Sequence, residues 1–316
     1  MALTAARIAG VGLTSADADA LAEFYLALGF ERAGIEVRGG PAFGHLAQRP
    51  HAAARVVLLR LGEEWLEIAT FAKRGRPYPR GGASNDPWFQ HFAIVVANMQ
   101  VAYERLTRLE GWSAITRPAP QRLPQSAGGV TAFKFRDPEG HPLELLEFPK
   151  DRVPPLWSAR ARARHESRAS MGRGEQSGVF LGVDHSAIVV ANTERSVAFY
   201  ERRLAFRHAG GSINRGVEQA HLDGLAEPEV EVTALASGGQ PPHLELLCYR
   251  SPRVRAAPAA APESADIAAT RLLIEIDGPS RLRVALGVDD LAPMTSRCGA
   301  LMHDPDGHAL LLVPCD

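Results

Sequence analysis

Short runs of small and apolar residues, each closed by asparagine and followed by a helical stripe, recur along the chain. HFAIVVAN (91–98) and HSAIVVAN (185–192) differ only at Phe92 and Ser186. Their alternation has the period of a strand, and the closing Asn suits a helix N-cap. After Asn192, TERSVAFYERRLAF sets Val197, Tyr200 and Leu204 on one helical face; after Asn98, Val101, Leu106 and Leu109 do the same. A third version, IAGVGLTSADADALAEFYLALGF, opens the chain. Setting Phe24-Tyr25 against Phe199-Tyr200 places Gly10 at the histidine position. In a fourth, TRLLIEIDGPSRLRVALG, matching Asp277 to Asn192 places Thr270 there.

The units also end alike. FKFRDPEGHPLELLEF (133–148) reads strand, turn, strand, with Pro138 suited to the second turn position and Gly140 to a positive φ. LMHDPDGHALLLVP (301–314) repeats the device, and VVLLRLGEEWLEIATF (56–71) and PHLELLCYRSP (242–252) give the other two last strands. A shared L-E-(L/I) core aligns Glu67, Glu144 and Glu245, with Leu311 in the fourth unit. The chain thus reads as an α+β protein of four βαβββ modules, at roughly 7–71, 90–149, 182–250 and 268–314. Its Pro-, Gly- and Arg-rich stretch 150–181 is read as a solvated linker between a first domain, 1–149, and a second, 182–316.

Composition narrows the functional classes. Of 316 residues, 46% are hydrophobic and 22% charged, enough for a substantial core. A net charge of −1 gives no electrostatic case for nucleic acid or an acidic membrane, and no apolar run is long enough to span one. Cys248, Cys298 and Cys315 have unrelated spacings and form neither a disulfide framework nor a Cys-rich zinc site. With no secretory signal at the start, the expectation is a cytoplasmic protein. There is no GxSxG elbow, no P-loop and no dinucleotide-binding GxGxxG.

Four βαβββ units, a first-strand His, a Phe-Tyr pair in the helix and a DPxGH turn before L-E-L resemble the vicinal oxygen chelate superfamily. That superfamily includes glyoxalase I, bleomycin-resistance proteins and extradiol ring-cleaving dioxygenases. The resemblance covers nearly the whole chain and implies two curled mixed sheets with flanking helices, each sheet closing a cavity. It implies a divalent metal ion, Zn, Ni, Mn or Fe, held by the first-strand His and last-strand Glu of two paired modules. Imidazole and carboxylate donors on rigid strands are a suitable set for such an ion.

Only modules two and three keep both residues: His91 with Glu144, and His185 with Glu245. Module one keeps Glu67; module four keeps neither. If two pairs with three and one with four, His91, Glu144, His185 and Glu245 form one site. If sequence neighbours pair, the first cavity holds Glu67, His91 and Glu144. The losses favour the first scheme. By the resemblance, the protein is a glyoxalase-like isomerase or lyase acting on a small oxygen-chelating substrate through an enediolate-like intermediate, with Glu144 or Glu245 as general base. The alternatives are an extradiol-type dioxygenase and a non-catalytic small-molecule binding protein of the bleomycin-resistance kind. The expected partner is a small molecule, and the chain is expected to be a monomer or homodimer.

Other residues carry narrower expectations. His243 shares strand parity with Glu245 and is placed to reach the cavity. His141 and His308 are assigned to hydrogen bonding within their turns, and His45, His51, His208 and His221 to structure. Trp88 and Phe89 suit a pocket wall. Lys134 and Arg136 share a strand face, open either to an anionic substrate or to solvent.

Overall fold

The computed structural model describes residues 6–171, 178–254, 262–276 and 299–314. Cys298, Cys315 and the fourth module's helical pattern after Asp277 lie outside the described residues. Module one contains β1 (Arg7–Thr14), α1 (Ala18–Ala27), β2 (Glu31–Arg38), α2 (Gly40–Leu46), β3 (Ala54–Leu61) and β4 (Glu64–Phe71). Module two contains β5 (Gln90–Val96), α3 (Met99–Leu106), β6 (Ser113–Ala114), β7 (Gln121–Arg122), β8 (Thr131–Arg136) and β9 (Pro142–Glu147). A connecting helix, α4 (Pro155–Met171), follows. Module three contains β10 (Phe180–Val189), α5 (Thr193–Leu204), β11 (Arg207–Arg215), α6 (Val217–Asp223), β12 (Glu229–Ala236) and β13 (His243–Ser251). Module four contributes β14 (Arg271–Ile276), β15 (Ala300–His303) and β16 (Ala309–Pro314).

The repeated asparagines start the helices as their side chains dictate. Asn98 accepts from the Val101 amide at 3.0 Å and Asn192 from the Arg195 amide at 2.8 Å; Asp17 caps α1 through Ala20 at 3.1 Å. Each satisfies one of the amides that a helix start leaves without a backbone partner.

Sheet pairing follows the scheme that the losses favour, module two with three and one with four. One sheet runs β11-β12-β13-β10-β5-β9-β8-β6 and joins modules two and three; the other runs β15-β16-β14-β1-β4-β3-β2 and joins four and one. Both are mixed: first and last strands of a module run parallel, while β5·β10 and β1·β14 meet antiparallel at the seams.

The apolar cores follow a different grouping. Leu21 and Tyr25 of α1 and its C-cap Leu28 pack in one cluster with Ile94, Leu106 and Phe133 of module two. Tyr200, Leu204 and Leu246 of module three cluster with Leu272 and Leu310 of module four. The helix-side cores thus lie mainly within the two sequence halves, joined by Phe180 and Val183 in the first and by Ile8 in the second, while each sheet takes a module from either side of the 150–181 stretch. Each Phe-Tyr pair reinforces the core grouping: the Tyr25 hydroxyl donates to Asp137 at 2.8 Å, and Tyr200 to Asp304 at 3.0 Å. Both acceptors belong to the DPxGH turn of the neighbouring module in sequence.

The stretch 150–181 departs from the solvated-linker expectation. Helix α4 docks across the two sheets: Trp157 is buried with Val95 and Leu181 and donates its indole N–H to Asp184 at 3.2 Å. Arg160 makes a two-pronged ion pair with the buried Glu64 of β4, both contacts 2.8 Å. The apolar Trp and one charge of this Arg-rich run have dedicated partners, which a reading by composition does not reveal. Among the described residues no helix is long and apolar enough to cross a membrane.

Candidate metal centre

The parallel register is the same in all four modules. Gly12 pairs with Glu67, Ala93 with Glu144, Ala187 with Glu245 and Leu273 with Leu311. Strand alternation puts the residue two places earlier in the first strand on the same face as that pair. Those residues are Gly10, His91, His185 and Arg271. Arg271, not Thr270, therefore stands at the fourth histidine position. The offset arises because the stretch from Arg271 to Asp277 is one residue shorter than that from His185 to Asn192. At the seam of the larger sheet, Ala187 lies opposite His91 and Ala93 opposite His185, so both imidazoles emerge on one face.

They meet on the wall of a cavity of about 400 Å³, also lined by Glu144, Glu245, His243, Asp184, Lys134 and Tyr249. The His91 and His185 ring centroids are 5.7 Å apart. Ligand atoms of His91, Glu144 and His185 all lie within 4.8 Å of one another. Glu245 adjoins this trio, its Oε2 being 3.6 Å from His185 Nε2. His243 lies beyond: its Nε2 is 3.5 Å from Glu245 Oε1, and its ring centroid is 5.3 Å from that of His185. Glu67 is in the other sheet and does not join His91 and Glu144.

These side chains suit a shared cation. His91 Nε2 approaches Glu144 Oε2 to 2.9 Å, yet both nitrogens of this buried ring lack a hydrogen-bond partner of proper geometry. Two donor atoms that close but out of line are aimed past each other, as ligands of a common ion are. Buried polar atoms left without partners are costly, and a divalent cation removes that cost. The His185 ring is held from behind by Asp184, whose Oδ2 is 3.1 Å from Nδ1. Asp184 in turn accepts from Trp157 of α4. A carboxylate on the far nitrogen fixes the tautomer and leaves Nε2 free for a ligand role.

Charge is distributed unevenly across the seam. Burial, helped by the Lys134 ammonium, pushes the His91 imidazole below its ordinary value. Burial also opposes protonation of His185, but Glu245, Asp184 and Glu144 outweigh it and raise the ring to about 9. Glu144 and Glu245 are both held below the usual carboxylate range despite burial, Glu144 by His91 and Lys134, Glu245 by His185 and His243. A carboxylate-rich pocket that favours cationic partners is the electrostatic setting a metal ion exploits.

Lys134 and Arg136 are neither exposed nor equivalent. Lys134 faces the cavity but its ammonium is committed to the buried Asp223 at 2.7 Å. Asp223 also accepts from Tyr249 at 3.0 Å and Gln219 at 2.7 Å. Arg136 donates to the Gly140 and Gly82 carbonyls and lies over Tyr78. Phe89 packs edge-on against His91, centroids 5.7 Å apart, whereas Trp88 lines a separate cavity. His141 bridges Asp137 to the carbonyls of Thr14 and Ile267, and His308 reaches the Val189 carbonyl. His45, His51, His208 and His221 do not line the metal cavity. Sequence reasoning passed over Asp184 and Asp223. Asp184 had a local signal, an acid directly before the histidine, whereas Asp223 on α6 had none.

The smaller sheet has lost the same constellation for physical reasons. At Gly10 a Cβ would fall 1.9 Å from the Trp65 carbonyl oxygen, so no ligand side chain fits. Glu67 is neutralised by Arg38, whose guanidinium nitrogens contact both its oxygens at 2.7 and 2.8 Å. Arg271 and Leu311 complete the four positions.

Paired βαβββ modules with convergent strand residues define the class of fold. Residues 7–145 match the family model described as the Glyoxalase/Bleomycin resistance protein/Dioxygenase superfamily. Crystallographic relatives extend the likeness over nearly the whole chain. A glyoxalase I mutant from Zea mays aligns with a TM-score of 0.57 at 17% identity, covering 98% of this chain and 94% of that one. A presumptive dioxygenase from Bacillus subtilis aligns with a TM-score of 0.59 at 12% identity, covering 99% and 86%. No curated protein matches the chain. The sequence match to that superfamily covers the first two modules, and the structural relatives, each under 25% identical, extend the same fold over the remainder.

Proposed function

We propose that the protein is a divalent-metal enzyme of glyoxalase-like type, an isomerase or lyase acting on a small substrate with two adjacent oxygens. The observation that carries this reading is the convergence of His91, Glu144 and His185 ligand atoms within 4.8 Å, with Glu245 beside them, on one cavity wall. His91, Glu144, His185 and Glu245 would hold the ion. When bound, it would supply Lewis acidity to the substrate oxygens.

Glu245 is the better candidate for the general base. Its side chain is 23% exposed against 7% for Glu144, and its contacts to His185 and His243 are looser than the 2.9 Å approach of Glu144 to His91. A carboxylate on the open side of the cavity can take a proton from a carbon acid. His243, against its other oxygen, is placed to relay that proton to the mouth. Lys134 and Tyr249, both tied to Asp223, form a fixed polar wall that orients the substrate.

The test is metal content and proton exchange. Protein purified without chelators is expected to carry one divalent ion per chain, and His91→Ala and His185→Ala are each expected to lose it. Solvent deuterium incorporation into 2-hydroxycarbonyl compounds, followed by NMR, is expected for the loaded protein and not for Glu245→Gln. Loss of metal in only one histidine variant would defeat the shared site. Oxygen consumption with catechols, without such exchange, would replace the isomerase reading with the ring-cleaving one.

A further inference from the structure

We propose that a cavity lined by residues of both sheets binds a small organic carboxylate, with Arg271 as its charge partner. This cavity, of about 190 Å³, is lined by Arg271, Thr270, Trp88, Gln90, His303 and His308 among others, and shares no lining residue with the metal cavity. It is large enough for a single-ring acid.

Arg271 occupies the register position that His91 and His185 hold in the other sheet, so a fixed cation stands where that sheet presents a metal ligand. Among the described residues its guanidinium donates only to neutral oxygens, the Ser264 carbonyl at 3.2 Å and the Thr14 hydroxyl at 2.8 Å. No carboxylate among the described residues forms an ion pair with it. The nearest acid by register, Glu67, has both oxygens engaged by Arg38. Burial accordingly lowers the Arg271 guanidinium to about 10, a shift that Arg38 adds to and Glu67 only partly offsets. A buried cation without an anion is expensive, and a carboxylate answers it with the two-pronged geometry that guanidinium favours.

The rest of the lining describes the ligand body. Trp88, Pro87 and Pro262 offer flat apolar surface, Gln90 and Thr270 add neutral polar groups, and the one carboxylate of the lining, Asp306, is engaged by Arg195 and Ser196. That wall favours a planar acid over a compact inorganic anion, because aromatic and proline faces gain from apolar contact that phosphate does not provide.

The experiment is calorimetric titration of the full chain with benzoate, acetate and phosphate, with tryptophan fluorescence in parallel. Benzoate is expected to bind saturably, more tightly than acetate or phosphate, and to quench emission. Arg271→Gln is expected to weaken benzoate tenfold or more, and Arg271→Lys to recover part of the loss, which separates lost charge from lost folding. Trp88→Phe is expected to remove most of the quenching while calorimetric binding persists. His185→Ala, which disables the proposed metal site, is expected to leave benzoate affinity unchanged, so the two sites stand or fall separately. The proposal is overturned by absence of saturable benzoate binding up to about 10 mM, by phosphate binding more tightly than benzoate, by wild-type affinity in Arg271→Gln, or by loss of binding in His185→Ala.

Discussion

Asp184 Oδ2 lies 3.1 Å from His185 Nδ1, and the other oxygen of the same carboxylate accepts from Trp157 at 3.2 Å. One acid thus links the connecting helix to a ring at the centre of the cavity. The carboxylate fixes which His185 nitrogen faces Glu245, and the indole fixes the carboxylate.

Asp184→Asn tests that link. An amide keeps the size but not the charge behind the ring, and such outer contacts typically change metal affinity by about 10- to 100-fold. The expected result is a loss of that order in competition with a chromogenic chelator, at nearly unchanged thermal stability. Unchanged affinity would show that His185 is positioned by its strand alone.

Trp157→Ala addresses the same helix from its apolar side. The indole is 1% exposed, wedged against Val95 and Leu181. Truncating a fully buried Trp costs about 3–5 kcal/mol. Urea denaturation should show a loss in that range; a loss below 1 kcal/mol, on the order of a surface change, would mean that α4 is not part of the cooperative unit.

Glu67→Gln separates the two sheets. Glu67 faces Arg38 rather than His91 and Glu144, so metal content per chain should not change. Stability should fall by about 1–3 kcal/mol, the worth of charge-assisted contacts to a partly buried guanidinium. Arg38 keeps Glu36 at 2.8 Å, which limits the loss. A drop in bound metal would place Glu67 in the centre.

The four modules and their pairing were legible because they were written as repeats. A His in one strand matched by a Glu in another recurs twice, and the positions where it fails, Gly10 and Leu311, fail in the two modules that share a sheet. What was not legible depends on geometry that repeats do not encode. Thr270 was off by one because the phrase is shorter there, and a single residue moves a side chain to the other face. Lys134 looked like an exposed strand residue because its partner, Asp223, comes from α6, far along the chain. The Arg-rich 150–181 stretch looked like a linker because a helix docked through one Trp and one Arg has the composition of a solvated segment.

Lys134→Met probes that hidden pair. Asp223 retains Tyr249 and Gln219 but loses its only described cation, and breaking a buried ion pair by removing one partner costs about 3–5 kcal/mol. The Lys134→Met/Asp223→Asn double variant should recover part of that loss, since the uncompensated charge is then gone. A double variant no more stable than the single would show that packing of the lysine stem, not charge, sets the cost.

The Asp137–His141 pair makes stability depend on pH in a defined window. Burial opposes both charges, yet each group is held charged by the other: Asp137 sits below its ordinary 3.8 and His141 above its ordinary 6.5. The depressed carboxyl contributes stability that is present above 3.8 and lost as pH falls through its lower folded value. The raised imidazole contributes stability that is present below 6.5 and lost as pH rises through its higher folded value. Both contributions are therefore complete only between those two ordinary values. His141→Gln should cost most there, about 3 kcal/mol, because Asp137 is left buried against an uncharged neighbour although Tyr25 still donates to it. The difference between wild type and variant should shrink steadily on the alkaline side, once the wild-type imidazole is itself neutral. Denaturant midpoints for the two proteins measured from pH 4.5 to 9 would reveal this convergence. Parallel curves across that range would show that His141 acts through its contacts to the Thr14 and Ile267 carbonyls as a neutral ring, and that its charge contributes nothing.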